Sequence, residues 1–575
     1  MPPRKTAPAP AAKTAPCCPA PPIGELFLAS ETDRLRACLV HAPGREIERL
    51  IPANYRFHLY DDLLHLERAQ SEHRILREVL GRLGATVHEL EDLLARVYET
   101  MSGTDRERFL ERVHDVSPGA PLYVLRDLAA ERDPAVVARA LIEGVEAENS
   151  FAAEVEDALY HLAPMANLIF IQDVAAVLLD RVVQGYMSQL VRLPEEIVVE
   201  TVIRLSNVFG PRGTGEFWID PAFRERHRMR RTAREYVQID AARLHVRLGE
   251  LDAAGRAGHG LPARLDADRV HIELENAYTT EGRHFILEGG NILTLRRGDG
   301  ATVVLLGHNA RTSADAVDEL AYRLLRDDGR SRAGRVGAVI VVDLPDPDAD
   351  SPHLDTRLLP LSEHEIAADR SLVQGPTGKA ARFFVFLPEP RSEPRPRIPG
   401  EEFRSSPKVL LARCPTLESA LGRAELDVRV RWIPDHAPWE GPGAPDSAAW
   451  IALQQSLWAH GLNLLPVARD VFIGLDRHAD FYAAELGATC VDAEREILAG
   501  PLAKLSCCAL LDALRARSGA AGKPVVIVLR GDELSRARGG ARSLVMPLVR
   551  TREEPPRPRA APAPRRAPRK AGPRA

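Results

Sequence analysis

No run of 18 or more apolar residues occurs in the 575-residue chain, which excludes a membrane-spanning helix. The N-terminus also lacks the apolar core of a signal peptide, so the expected compartment is the cytoplasm. Cysteine is scarce. Seven residues, with adjacent pairs at Cys17-Cys18 and Cys507-Cys508, give neither zinc spacing nor a disulfide framework, and they read as reduced thiols. Gly375-Pro-Thr-Gly-Lys379 lacks the spacing and the Ser/Thr of a phosphate-binding loop, and no Gly-x-Ser-x-Gly elbow surrounds Ser543. Net charge is only -5, so neither nucleic acid nor an acidic membrane is an expected partner. No repeat of fixed sequence or strict period is found.

What is present reads as a soluble α/β chain. Hydrophobic content of 45% and charged content of 27% are ordinary for globular proteins. The length suits roughly two to four average domains, or one large α/β body with insertions. Residues 1–24 are Pro/Ala-rich and expected to be disordered. A first unit over 25–90 reads as a strand at Leu35–Val40, a turn at His41-Ala-Pro-Gly44, a helix over Leu63–Leu83 and a strand over Gly84–Leu90. Residues 91–161 are patterned as a helical insert. From 162 to 550 strands and helices alternate, with strands expected at Asn167–Ile171, Ala175–Leu179, His271–Glu275, Phe285–Leu287, Ile292–Leu295, Thr302–Leu306, Ala338–Asp343, Leu462–Leu465 and Val471–Gly474. Helices are expected at Glu195–Leu205, at Ala479–Leu486 and at Ser313–Leu325, with Ser313 as N-cap. Surface insertions are expected at about 388–407 and 500–520, the second a helix carrying Cys507-Cys508. The tail over 551–575 holds eight Lys/Arg against two Glu, is rich in proline and reads as disordered and solvated.

Four short stretches place polar groups beside apolar runs. Asp173 follows Asn167-Leu-Ile-Phe-Ile-Gln. Glu288-Gly-Gly-Asn291 lies between two strand candidates, an expensive position for a carboxylate without a partner. In His353-Leu-Asp-Thr356, alternation puts His353 and Asp355 on one face if the segment is extended. Between Val525–Leu529 and Leu544–Val549, the loop Arg536-Ala-Arg-Gly-Gly-Ala-Arg-Ser543 carries paired glycines that permit close backbone approach. Each has a plainer reading: a turn aspartate, a hairpin, a satisfied histidine, a hairpin with a solvated basic tip. Three carboxylates and a histidine converging would instead make a cation-binding site, and a His beside a Glu can shuttle protons.

These stretches, in this order, resemble the arginine deiminase family of guanidino-group-modifying enzymes. Ser30-Glu-Thr-Asp-Arg-Leu-Arg-Ala-Cys-Leu-Val-His-Ala-Pro-Gly44 and Tyr60-Asp-Asp62 add to the resemblance, which covers most of residues 27–550. It implies an α/β fold, a five-bladed pseudosymmetric α/β propeller (the pentein fold), with a helical insert after the first unit. It implies that Asp173 and Asp355 grip the guanidinium of arginine, and that Glu288 and His353 handle protons. Asn167 and Phe170 would line the amino-acid end, Arg311 would pair with the substrate carboxylate, and Arg538 would sit in the closing loop. The reaction would be arginine plus water giving citrulline plus ammonia, through a covalent amidino-enzyme. No metal or organic cofactor is implied. The partner is a small guanidino molecule, with a homo-oligomer left open.

The chain departs from the family pattern at four places. Ser543 stands where the family has its nucleophilic cysteine; a hydroxyl needs a strong adjacent base to attack, whereas a thiolate forms readily beside cations. Asn291 replaces Asp after Glu-Gly-Gly, Gln172 replaces Arg before Asp173, and Pro194 falls where a carboxylate-binding Arg is expected, with Arg192 nearby as a substitute. Three functions remain open: a guanidino-hydrolase or transferase with altered substrate or mechanism, a catalytically silent guanidino binder, and a scaffold.

Overall fold

The computed structural model describes residues 26–52, 55, 58–114, 116–117, 122–146, 160–210, 217–219, 285–326, 334–344, 353–373, 380–388, 409–433, 460–519, 523–537 and 539–553. The expected N-terminal tail, residues 554–575 of the expected C-terminal tail, most of the 388–407 excursion, the strand expected at His271–Glu275 and Arg538 lie outside these residues, while Thr551, expected in the tail, ends the strand Met546–Thr551.

One three-stranded unit recurs in five sheets. In each, two antiparallel strands are followed by a third strand lying parallel to the second. Ala175–Leu178, Arg181–Gln184 and Phe217–Ile219 form one such unit. Ile292–Arg296, Thr302–His308 and Val336–Asp343 form another, extended by Arg382–Pro388 and Val409–Cys414. Leu358–Ser362, Glu365–Asp369 and Arg429–Ile433 make the next. Leu465–Ala468, Val471–Leu475 and Val525–Leu529 follow, with Thr489–Asp492 on the far edge. The remaining unit joins the two ends of the described chain: Met546–Thr551 runs antiparallel to Arg34–Val40, which is parallel to Thr86–Glu89.

A parallel neighbour needs a crossover, and the crossovers carry helices. These are Leu66–Arg82, Leu193–Leu205, Ala314–Arg326, Leu417–Arg423 and, in the fourth unit listed above, Cys507–Arg517. The last occupies the segment expected as an insertion at 500–520; it connects the parallel strands Thr489–Asp492 and Val525–Leu529. Ser313 Oγ accepts from Ala316 N, the N-cap read from the sequence. Strand segments are near-continuous apolar runs because both faces are covered, as in the fully buried Val336–Asp343.

After Thr86–Glu89 the chain turns helical at once, with Leu90–Thr100, Gly103–His114, Leu122–Ala130 and Pro134–Glu143. Leu94, Tyr98, Phe109, Val113 and Leu141 pack in one core with Ile197 and Val202 of the helix Leu193–Leu205. Asp133 caps the helix Pro134–Glu143 by accepting from Ala135 N, with Pro134 at its first position.

Several expectations are corrected. Asn167–Ile171 is no strand: Ala166–Ile169 forms a 3-10 turn and Ile171–Val174 a single helical turn. A short apolar run has no periodicity to separate strand from buried helix. His353 and Asp355 are not on an extended segment, because Leu354–Thr356 is also a 3-10 turn. Of Phe285–Leu287 only Leu287 makes a bridge, and the strand expected from Leu462 starts at Leu465. Val525–Leu529 and Met546–Thr551 are not a hairpin; they belong to different sheets.

The first turn carries a buried ionic knot. His41 Nε2 lies 3.3 Å from Glu46 Oε1, and Nδ1 lies 3.6 Å from Glu89 Oε1. Burial alone would pull His41 down, but the two glutamates raise it from 6.5 to about 10. A group raised on folding contributes stability that is fully present below pH 6.5 and is lost as pH climbs towards 10. His41→Gln should therefore lower the unfolding free energy by a few kcal/mol near neutrality and flatten the alkaline loss, read from urea melts across that window. An unchanged alkaline limb would refute this role.

Candidate active site

Each of the five units opens with a short turn that delivers a polar group at the entry to its first strand. Asp173 precedes Ala175–Leu178, Glu288 precedes Ile292–Arg296, His353 and Asp355 precede Leu358–Ser362, Asn463 precedes Leu465–Ala468, and Ser543 precedes Met546–Thr551. The same position in five units brings these groups to one place, and their contacts link them.

Glu288, fully buried, is the hub. Its Oε1 accepts from Ser188 N at 2.8 Å and Ser188 Oγ at 2.6 Å, and its Oε2 accepts from Arg311 Nη1 at 3.1 Å. His353 Nε2 lies 2.6 Å from the same Oε2, and His353 Nδ1 lies 3.5 Å from Asp173 Oδ1. Burial would raise the Glu288 carboxyl, but Arg311, His353 and Arg192 outweigh it and hold the group well below the usual range. It is therefore an ionised anchor for His353. Gly290 lets the turn come this close, since a Cβ there would lie 2.6 Å from the His353 ring.

Both aspartates are half-engaged. Arg192 Nη1 donates to Asp173 Oδ2 at 2.8 Å, its Nε donates to Glu195 Oε2 at 2.9 Å, and its Nη2 donates to Asn167 O and Phe170 O. Arg192 is fully buried and four of its five N–H groups are engaged in these bonds, so it props the Asp173 turn. Burial pushes Glu195 up to about 7, with Arg192 working against it. Asp355 Oδ2 accepts from Arg542 Nη1, and Arg542 Nη2 donates to Glu31 Oε1 at 2.9 Å and to Ile292 O at 3.1 Å. Burial raises the Asp355 carboxyl, with Arg542 and His353 opposing. Asp173 Oδ1 and Asp355 Oδ1 are buried and make no hydrogen bond, as is Asn167 Nδ2.

Ser543 is buried against Asn463, whose Oδ1 accepts from Ser543 N at 3.0 Å and from Ser543 Oγ at 3.1 Å. Its carbonyl accepts from Gln172 N at 3.3 Å, tying the serine to the Asp173 turn. Gly539 lies against Phe170; a Cβ there would fall 2.2 Å from the ring. Of the expected site residues, Asp173, Glu288, His353 and Arg311 meet directly, Asn167 and Phe170 join through Arg192 and Ser543 through Gln172, while Asp355 bonds Arg542 and feels His353 and Asp173 electrostatically. Arg311 spends Nη1 on Glu288, and Arg538 lies outside the described residues.

Asn291 ties three segments together. Its Oδ1 accepts from Leu354 N at 2.8 Å, and its Nδ2 donates to Asn309 Oδ1 at 3.1 Å and Thr312 Oγ1 at 2.9 Å. An aspartate would turn a donor into an acceptor facing Asn309 Oδ1. Asn291→Asp should therefore cost about 1–3 kcal/mol in urea unfolding; a neutral result would show that the two turns are held by other contacts.

The sequence concealed several of these residues. Arg192 is expected as a substitute partner for a substrate carboxylate and Glu31 lies in the Ser30–Gly44 stretch, but the buried ion pairs they make, and the part played by Glu195, have no sequence signal. Asn463 has a sequence signal, a lone amide inside the apolar run Leu462-Asn-Leu-Leu465, the pattern that marks Asp173. Among the described residues, Asp173, Glu288 and His353 offer ligand atoms within 4.8 Å of one another, a spacing that suits a cation. Arg192 and Arg311 already bring positive charge to these carboxylates, which favours a singly charged organic cation over a divalent metal.

The family model of arginine deiminase matches residues 57–229. Arginine deiminase from Pediococcus pentosaceus is 23% identical over 538 residues, covering 91% of this chain and 98% of its own length. That of Bacillus cereus is 24% identical over 536 residues with the same coverage. The chain is similar in sequence to the arginine deiminases. Among solved structures, an amidinotransferase from Microseira wollei of the saxitoxin biosynthetic pathway aligns at 12% identity and TM-score 0.39, covering 92% of this chain and 99% of that one. The inosamine-phosphate amidinotransferase from Streptomyces griseus aligns at 13% identity and TM-score 0.36, covering 92% and 97%. The chain itself is mixed α/β, and no helix among its described residues is long and apolar enough to cross a membrane.

Proposed function

We propose that this protein recognises the guanidinium group of arginine, or of a related guanidino compound, between Asp173, Glu288, His353 and Asp355, and that Ser543 leaves deimination weak or absent. The observation that carries this reading is the pair of open oxygens. Asp173 and Asp355 each give one carboxylate oxygen to a buried arginine and keep the other, also buried, without a hydrogen bond. Two such acceptors match the paired N–H groups of a planar guanidinium; the desolvation of Asp355 Oδ1 is unrelieved until such a donor arrives, whereas Asp173 Oδ1 has His353 Nδ1 at 3.5 Å. The five units, joined through the pairing of first and last strands, are read as the blades of a pentein propeller with this pocket at their common end.

In the deiminase reaction a nucleophile adds to the guanidinium carbon, ammonia leaves with a proton from His353, and His353 then takes a proton from the incoming water. Glu288 holds the imidazole and stabilises its protonated form. Arg311 and Asn167 would meet the amino-acid end. The nucleophile is where this chain falls short. The Ser543 hydroxyl donates to Asn463 Oδ1, and an amide oxygen does not take up a proton at working pH. With carboxylates on the other side, an alkoxide has nothing to stabilise it.

Thermal and urea unfolding with added ligand test the recognition. Arginine at about 100 times its Kd should add about 2.7 kcal/mol to the unfolding free energy, while lysine at the same concentration should add nothing. Equal stabilisation by both would mean that charge alone, and not a guanidinium, is being read.

A further inference from the structure

The glycine loop that carries Ser543 is gripped, away from the guanidino site, by a buried carboxylate. Glu72, on the helix Leu66–Arg82, accepts from Glu533 N at 3.1 Å and from Leu534 N at 3.0 Å. These amides open the turn Leu534–Ala537. The grip is reciprocal. Glu533, also buried, accepts through Oε2 from His65 N at 3.0 Å, at the N-terminus of the helix that carries Glu72. Its Oε1 lies 3.7 Å from Arg68 Nη1. Burial raises the Glu72 carboxyl, the two loop N–H groups oppose the rise, and the charges of Asp532 and Glu533 add to it. A carboxylate in that place is costly, and what it supplies in return is a partner for both loop amides.

We propose that Glu72 is a positioning residue for the guanidino site: by clasping the loop at Glu533-Leu534 it sets the place of Arg542 and Ser543, and through them of Asp355 and the Asp173 turn. The proposal rests on the guanidino reading of that site. The connection is a chain of contacts. Beyond the clasp, Arg536 O accepts from Asp61 N at 3.3 Å and Ser535 Oγ accepts from Arg477 Nη1 at 2.7 Å, so the loop follows the helix side before it turns inward. Gly539 then lies against Phe170, Arg542 Nη1 donates to Asp355 Oδ2, and Ser543 O accepts from Gln172 N at 3.3 Å, next to Asp173. Both aspartates are therefore held by the far end of the loop that Glu72 holds at its near end. Asn463 grips the far end as well, its carbonyl accepting from Arg542 N at 3.2 Å, and the experiment must separate the two grips.

Amide hydrogen exchange of the full-length wild type and of Glu72→Gln tests this without a ligand. Glutamine keeps the shape but sets a donor against the loop N–H groups. The amides of Glu533, Leu534 and, across the site, Gln172 should exchange about tenfold faster, while Val525–Leu529 and the urea midpoint stay near wild type. Arginine affinity should fall about fivefold in step. Glu72→Asp, which keeps the charge but shortens its reach, should give the same pattern. Leu76→Ala, a cavity in the same helix, should lower the urea midpoint and leave both readouts unchanged. Unchanged exchange at Glu533 and Leu534 would overturn the proposal. So would faster exchange there with Gln172 unmoved, since Asn463 would then hold the far end alone, or with arginine affinity unaltered. If wild type binds no arginine, the guanidino reading fails, and the exchange at Gln172 still decides whether Glu72 positions the turn.

Discussion

Ser543→Cys is expected to release citrulline from arginine with kcat/KM on the order of 10^3-fold above wild type, equivalent to ~4 kcal/mol of transition-state stabilisation. The pocket needs no other change for this. Asn463 Oδ1 would still accept from the residue-543 N–H and hold the backbone in place. Sulfur needs no adjacent base: the arriving guanidinium itself supplies a cation that favours the thiolate. His353, held 2.6 Å from an ionised Glu288, remains available for the leaving ammonia and the incoming water. The readout is a colorimetric citrulline assay on both proteins at equal concentration. Comparable turnover in the two would mean that Ser543 already works as a nucleophile, and that the base it requires has been overlooked.

Arg542→Met is expected to destabilise the fold by ~3–5 kcal/mol, because it strands two buried carboxylates. Arg542, from near the C-terminal end of the described chain, is fully buried between Asp355 and Glu31. Losing the guanidinium leaves both anions uncompensated, and Arg550, 3.8 Å from Glu31 Oε2, is the remaining cation there. The triple replacement Glu31→Gln/Asp355→Asn/Arg542→Met should recover most of the loss, since neutral side chains do not carry the same desolvation penalty. Urea unfolding measures both. A loss below about 1 kcal/mol for the single variant would show that water reaches the trio.

The polar residues at the unit entries were legible because each interrupts an apolar run: Asp173 after Ile169–Gln172, Glu288 between Leu287 and Ile292, and the Ser543 loop between two strands. Their backbone was not. Asn167–Ile171 and His353–Thr356 looked extended, and both are 3-10 turns, since four or five residues are too few for periodicity to speak. The ion-pair partners were equally hidden. Glu31 and Arg542 stand 511 residues apart, and their pairing follows from the first and last strands lying side by side. The five-fold recurrence escaped detection because the crossovers differ in length and content. Among the described residues, one holds the helix Leu417–Arg423 after two extra strands, while the first is followed by an insert with four helices.

Calorimetric titration of arginine into wild type and into Asp355→Asn tests the central claim most directly. Asp355 touches Arg542 with one oxygen and keeps the other open, so the variant removes an acceptor charge without emptying the pocket. The account predicts one site in wild type and a loss of at least about 1.5–3 kcal/mol of binding in the variant, the worth of a charge-assisted hydrogen bond. Equal binding by both proteins, or no heat from either at millimolar arginine, would contradict it.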